Sequence, residues 1–339
     1  MPSSLAQSDI HSVNFIGRSK ILASLHRTLN HRDYSDTPQS VILFGQAGIG
    51  KTEIALEYVR RRRQEYTSIF RIDARSQDTV KMGLVRSFFE LLHRYPDFGL
   101  HDASIYENLG QVKEQILHQN PKPSHKQMID IFIQWLELPE NKHWLLLYDN
   151  YDDVEAYDLL RFFPKAVHGS IIVTSRRQES VRLGYGIEVT DMTEEEALKF
   201  LSNCGRLSTQ AEPNAARMLL QRLGNIPLAI EHAGAYISTR SGKIQQYLAR
   251  YERDMDLLFK DVPALWDYRH ETVLTTWELS FQALRSSSPI AAEALLICGF
   301  FARTKLYFHD LFDHTMMTPS EGKQAKTHKL SANLNLYPI

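Results

Sequence analysis

With 339 residues, 43% of them hydrophobic and 23% charged, the chain has the make-up of a soluble globular protein long enough for two or three domains. Its net charge of −1 provides no basic field, so neither nucleic acid nor a membrane is expected as a partner. Two cysteines, Cys204 and Cys298, are too few for a disulfide framework or a zinc site, and they fit a reducing, cytoplasmic setting.

Residues 1–12 are polar and expected to be loose, and the opening MPSSLAQSDIHSVNF lacks the basic start and apolar core of a secretory leader. Phe15-Ile16-Gly17-Arg18 leads into an amphipathic stretch with Ile21, Leu22, Leu25 and Leu29 on one face. Residues 31–39 read as a loop. Residues 41–44, VILF, are an uninterrupted apolar run, as a buried parallel strand requires. Then comes Gly45-Gln46-Ala47-Gly48-Ile49-Gly50-Lys51-Thr52, followed by a helix with Ile54, Ala55, Tyr58 and Val59 on one face. The run Arg60-Arg61-Arg62-Arg63 falls at that helix's end, where cations complement the dipole.

A second strand is expected over 68–73, a helix over 78–93, an irregular insertion over 95–124 and a helix over 126–138. Apolar strands follow at 144–149 and 170–174, with a short fifth at 187–189. Strands alternating with helices imply an α/β fold with a parallel, doubly wound sheet. After Thr193 helices alone are expected, over 194–201, 214–223, 228–237 and 244–251, then from 272 and over 289–301. The apolar stretch around 291–301 is broken by Glu293 and too short to span a bilayer. Residues 314–339 have no periodic apolar face.

The chemistry concentrates at strand ends. Strand, glycine loop and helix N-terminus form an anion site, in which backbone N–H groups and the helix dipole face phosphate. Lys51 is placed to reach the β and γ phosphates and Thr52 to ligate Mg²⁺. The alternative is a glycine-rich strand–helix turn with no ligand. Asp149 ends an apolar strand, where a carboxylate can hold a metal-bound water. Asn150 follows it and cannot accept a proton. Asp152 or Asp153 is expected to cap a following helix, the alternative being that the loop folds back and one of them positions the attacking water. Arg176, just past the fourth strand, can touch a γ-phosphate, while Arg177 is expected at the surface. By physics alone, Gly224-Asn225-Ile226-Pro227-Leu228-Ala229 is a loop with proline near a helix start.

Together these segments resemble an NB-ARC domain of the STAND class of P-loop NTPases, in its fungal NLR-like form. The resemblance runs in order through Phe15-Ile16-Gly17-Arg18, Gly45 to Thr52 (Walker A), Phe70-Arg71-Ile72-Asp73-Ala74, Leu145 to Asp149 with Asn150 (Walker B), Gly169 to Arg176 (sensor), IEVTDMTEEEAL, Gly224 to Leu228 (GxP loop), and TTWELSF at the start of a winged helix. It implies an ADP/ATP-and-Mg²⁺ site. Lys51, Asp149 and Arg176 would be its active residues, and Thr52 and Asp149 its metal ligands. The nucleotide would be lined by Phe15, Ile16, Arg18, Gly45, Gln46, Ala47, Gly48, Ile49, Gly50, Lys51, Thr52 and Pro227, with the Phe15 segment framing the adenine and Pro227 packing on it.

The domains implied are a P-loop domain at 13–192, a helical lid at 193–262, a partial winged helix at 263–303 and an irregular tail at 304–339. Phe308-His309-Asp310 falls too early to be the family's Met-His-Asp motif, so the resemblance implies a C-terminally truncated chain. The implied function is an intracellular signalling switch. Nucleotide state would control opening and self-association into a homo-oligomer, with an unknown signalling partner and, at most, slow ATPase activity. The alternative is a weakly active or nonfunctional truncated ATPase fragment that binds nucleotide. A kinase would need an acceptor pocket and base that the sequence does not offer. A DNA-binding winged helix would need basic residues, which residues 272–284 lack.

Overall fold

A computed structural model describes residues 15–30, 38–94, 123–205, 209–240, 243–258, 281–282 and 284–301. The loose N-terminus (1–12), most of the 95–124 insertion, the winged-helix start at 272–280, Phe308-His309-Asp310 and the 304–339 tail lie outside the described residues. The chain divides into two units, residues 1–280 and 281–339.

In the first unit, five parallel strands form one sheet: β1 (Gln39–Phe44), β2 (Ser68–Asp73), β3 (Trp144–Asp149), β4 (Ser170–Ser175) and β5 (Tyr185–Glu188). Their order across the sheet is β2-β3-β4-β1-β5. Because all five run the same way, their carboxyl ends share one edge, with Phe44 in register with both Ser175 and Glu188.

Side-chain alternation sorts the strands onto two cores. Ile42, Phe70, Ile72, Leu146, Tyr148, Ile171 and Val173 pack against α3 (Gln77–Arg94) and α4 (His125–Glu137). Val41, Leu43, Ile69, Leu145, Leu147 and Ile172 pack against α1 (Ser19–Asn30) and α2 (Lys51–Arg62). The first core is anchored by the edge-to-face pair Phe70–Phe132 at 4.9 Å and by Trp144, whose indole Nε1 donates to the Leu136 carbonyl at 2.7 Å. Three arginines of the run at the end of α2 are paired: Arg60 and Arg61 both bond Glu57, at 2.7 and 2.6 Å, and Arg62 bonds Glu65 at 2.9 Å.

Two expectations shift. The fifth strand begins two residues early, at Tyr185, and Val189 follows it, still donating to the Phe44 carbonyl at 2.8 Å. Nor does α-helix follow β3. Residues 159–162 make one 3₁₀ turn capped by Asp158. Asp153 accepts only the Ala156 N–H of a local turn at 3.2 Å, and Asp152 turns instead to Arg176.

Among the described residues four helices follow the sheet: α5 (Glu194–Gly205), α6 (Pro213–Arg222), α7 (Pro227–Arg240) and α8 (Ile244–Leu258). Their apolar faces bury Leu219, Leu220, Ile230, Ile237, Tyr247 and Tyr251. Thr193 and Glu196 cap α5 reciprocally, with the Glu196 N–H on the Thr193 hydroxyl at 3.3 Å and the Thr193 N–H on Glu196 Oε2 at 3.2 Å. In the second unit the described residues include α9 (Pro289–Phe301), with Ser288 Oγ accepting the Ala291 N–H at 3.4 Å.

Candidate functional site

The glycine loop starts where β1 ends. The Gly45 N–H donates to the Ser175 carbonyl at 3.2 Å, joining the loop to the end of β4. Gly45 has φ 150, and a Cβ there would come within 2.5 Å of the Val189 carbonyl, so only glycine lets the chain turn between the two strands. Gly50 caps α2 in the left-handed conformation at φ 92. Lys51 and Thr52 open its first turn with N–H groups that have no preceding turn to bond, and the Ile54 N–H makes the first helical bond, to the Gly50 carbonyl at 2.9 Å. Gln46, Ala47, Gly48 and Ile49 form the turn between, with Ile49 buried in the core and the Gln46 amide donating to Asp191 Oδ1 at 2.8 Å.

Lys51 is buried, and its ammonium donates to the Gly45 and Gln46 carbonyls at 2.8 Å each. The cation is thus wrapped by its own loop, where an anion's oxygens would enter. Burial pulls its pKa down from 10.5 to about 8; nearby Asp152 opposes this, Arg176 adds to it, and Asp149 opposes it. The cost of burying the cation is therefore felt below about pH 8 and is relieved as pH rises toward 10.5, the unfolded value.

A polyphosphate beside Lys51 favours the cation and raises that pKa again. Were ADP the ligand, its affinity would fall above about pH 8, by at most about tenfold per pH unit, as the free lysine loses its proton. Calorimetry near pH 8 in buffers of different ionisation heat should register uptake of about half a proton on binding. No uptake, with flat affinity across this range, would remove Lys51 from the phosphate contact.

Asp149 sits at the end of β3 on the α2 face. Its Oδ1 accepts from the Thr52 hydroxyl at 2.7 Å and the Thr174 hydroxyl at 2.6 Å, and its Oδ2 from Arg71 at 2.7 Å. Thr174 Oγ1 in turn accepts the Asn150 N–H at 2.9 Å, and Asn150 has φ 66. Arg176 holds Asp152 through its N–H and Nε, both at 2.7 Å. Lys51, Thr52, Asp149 and Arg176 thus meet at one corner of the sheet edge, from α2 and two strand ends.

The donor set suits a hard cation. Thr52 and Asp149 offer oxygens only, and among the described residues no cluster of three His, Cys, Asp or Glu could hold a metal unaided. Mg²⁺ would therefore need phosphate and water oxygens as well, as Mg²⁺ at nucleotides does.

Arg18, at φ 59, is buried, and its guanidinium bonds three backbone carbonyls: Thr190 at 2.6 Å, Asp191 at 3.1 Å and Ile49 at 3.3 Å. Its N–H donates to Glu196 Oε1 at 2.8 Å. Burial pulls its pKa below the usual value, opposed by Glu196 and Asp191. Ile16 is buried, and Phe15 lies under the Arg61 guanidinium at 5.9 Å. On the far side, α7 begins over the loop. The Leu228 N–H donates to the Gly48 carbonyl at 3.2 Å, and Pro227 Cγ lies 3.9 Å from where a Gly50 Cβ would be.

Four participants went unnoticed in the sequence: Arg71, Thr174, Asp152 as the partner of Arg176, and Glu196. Arg71 carried a signal, being a charge inside the otherwise apolar SIFRI run. So did Glu196, through its capping spacing from Thr193.

No family model matches the chain. A nucleotide-binding leucine-rich repeat (NLR)-like protein from Hyaloscypha variabilis is 26% identical over 321 residues, covering 85% of this chain. The chain spans only 30% of that relative's length. Among solved structures, a signal transduction ATPase with numerous domains and a tetratricopeptide repeat sensor, from Pyrococcus horikoshii, is 14% identical with a TM-score of 0.42. It covers 77% of this chain and 39% of its own. Cdc6p from Pyrobaculum aerophilum is 10% identical with a TM-score of 0.34, over 75% of this chain and 66% of its own. The ordered motifs and the Hyaloscypha relative together support the likeness to NLR-like proteins.

Proposed function

We propose that this NLR-like chain is an ADP/ATP-binding signalling switch of the NB-ARC type. Residues 13–192 would bind the nucleotide, residues 193–262 would act as a helical lid, and residues 263–303 would begin a winged helix. One observation carries the reading: the glycine loop, with Lys51, Thr52 and Asp149 gathered beside it, is bonded directly to the start of the lid at Gly48–Leu228. A ligand that pushes on the loop pushes on α7. In this reading Lys51 and the N–H groups at the start of α2 would hold the phosphates, and Thr52 and Asp149 would hold Mg²⁺ where it is bound, the ion supplying neutralising charge. Arg176 meets the γ-phosphate when it is present. Its guanidinium trades the Nε bond to Asp152 for phosphate bonds, so ATP and ADP leave different contacts at the lid.

A switch must keep its ligand longer than a motor does. Asn150, in place of a second carboxylate, accepts no proton from an attacking water. Hydrolysis is expected at roughly 10⁻⁴ to 10⁻² per second, the range of unassisted switch GTPases. The deciding experiment is light scattering of the purified chain with saturating ADP, then after exchange to ATP, with hydrolysis followed in the same samples. A larger particle with ATP and slow turnover is expected. The same mass in both states would leave a nucleotide-binding fragment without a switch. Turnover of several per second, lost in Asp149→Ala, would make it an ATPase.

A further inference from the structure

Arg71 stands where packing does not ask for it. Its neighbours on β2, Ile69, Phe70 and Ile72, are buried apolar side chains. It is in register with Leu147 on β3, and strand alternation puts it on the same sheet face as Asp149. There its Nη2 bonds Asp149 Oδ2 at 2.7 Å, with the aspartate side chain only 3% exposed and the arginine 33%. The other aspartate oxygen already accepts from Thr52 and Thr174, so Oδ2 is the side of the carboxylate that an incoming cation would use. Directly opposite Asp149 in register, Asp73 is held by Arg75 at 2.6 Å. Two carboxylates at the carboxyl ends of β2 and β3 are thus each matched by a guanidinium of the chain's own.

A buried carboxylate is costly unless compensated, and beside a polyphosphate it also repels the ligand. In most nucleotide sites of this build the divalent ion relieves both. Here a protein cation already sits on the aspartate. We propose that Arg71 is a tethered cation serving the metal side of Asp149, so that a nucleoside diphosphate binds this site without a divalent ion. Mg²⁺ gains Asp149 Oδ2 only when Arg71 swings off it. The guanidinium is one-third exposed, so it already reaches solvent from its place on the aspartate. The inference rests on the nucleotide reading of the site and adds to it a specific demand: metal and arginine compete for one oxygen.

The test is ADP titration of the wild-type chain and of Arg71→Met in EDTA and in millimolar Mg²⁺, with Mn²⁺ affinity of the ADP-loaded proteins read by electron paramagnetic resonance. The wild type is expected to hold ADP within about threefold in the two buffers. Arg71→Met should lose about tenfold or more in EDTA, recover it with Mg²⁺, and bind Mn²⁺ about tenfold more tightly, because the competing charge is gone. Arg71→Lys keeps a cation within reach and should stay close to wild type; circular dichroism checks that each variant folds. If Arg71→Met does not fold, the wild type alone decides. A tenfold or greater gain in ADP affinity on adding Mg²⁺ overturns the proposal, as does equal Mg²⁺ sensitivity of wild type and Arg71→Met. Those outcomes leave the nucleotide site standing. Failure of the wild type to bind ADP in either buffer overturns the nucleotide reading and this inference with it.

Discussion

Lys51→Ala is expected to weaken both ADP and ATP binding by roughly ten- to a hundredfold, and further if phosphate oxygens are left unpaired. The loss of a charge-assisted contact is worth about 1.5–3 kcal/mol, and 1.4 kcal/mol is about tenfold. The fold should not suffer. Lys51 donates only to the Gly45 and Gln46 carbonyls of its own loop, and burial already works against its charge, pulling its pKa to about 8. Removing a buried cation from an empty loop relieves a cost as it breaks two bonds, so the apo melting temperature should move by no more than a few degrees. Calorimetric titration with each nucleotide, beside thermal unfolding of the apo proteins, separates the two effects. Unchanged affinity would remove the phosphate-loop assignment, and collapse of the apo fold would make Lys51 a structural residue instead.

The parts legible in the sequence were those set by neighbours along the chain. The β3 run Trp144–Asp149 is buried on both faces, so it reads as unbroken apolar residues ending in an acid. The face of α1 with Leu22, Leu25 and Leu29 follows from the 3.6-residue period, and all three are buried. The glycine loop announces itself because its left-handed turns admit few other residues.

What stayed hidden was decided across the fold. That Asp152 serves Arg176 and caps no helix depends on β3 and β4 being neighbours, which places the two loops side by side. Arg71 reaches Asp149 only because β2 lies at the outer side of β3, a strand order that sequence order does not dictate. The Leu228 bond to Gly48 and the Arg18 bond to Glu196 each join residues more than a hundred positions apart. Local propensity says nothing of such pairs.

Arg18 is the place where that hidden layer has its largest expected effect. The sequence resemblance places the Phe15–Arg18 segment at the adenine. The structure gives the Arg18 side chain three carbonyls on two different segments, Ile49 in the phosphate loop and Thr190 and Asp191 on the way to α5. Its own N–H adds a fourth tie, to Glu196 at the first turn of α5. One planar guanidinium spans all three acceptors, a geometry that lysine cannot reproduce. Arg18→Ala should therefore cost about 2–4 kcal/mol of apo stability, from lost charge-assisted bonds and the desolvated Ile49 carbonyl. For a unit of this size that lowers the melting temperature by roughly 5–15 °C. Arg18→Lys should recover less than half of the loss. Since the loop and the start of the helical half would come apart, nucleotide affinity should fall too, but only as a consequence. Thermal unfolding of the apo variants, run before any titration, is the check. An apo melting temperature unchanged within a degree or two, together with weakened ADP binding, would mean that Arg18 is a ligand contact and not the tie that holds the loop to α5.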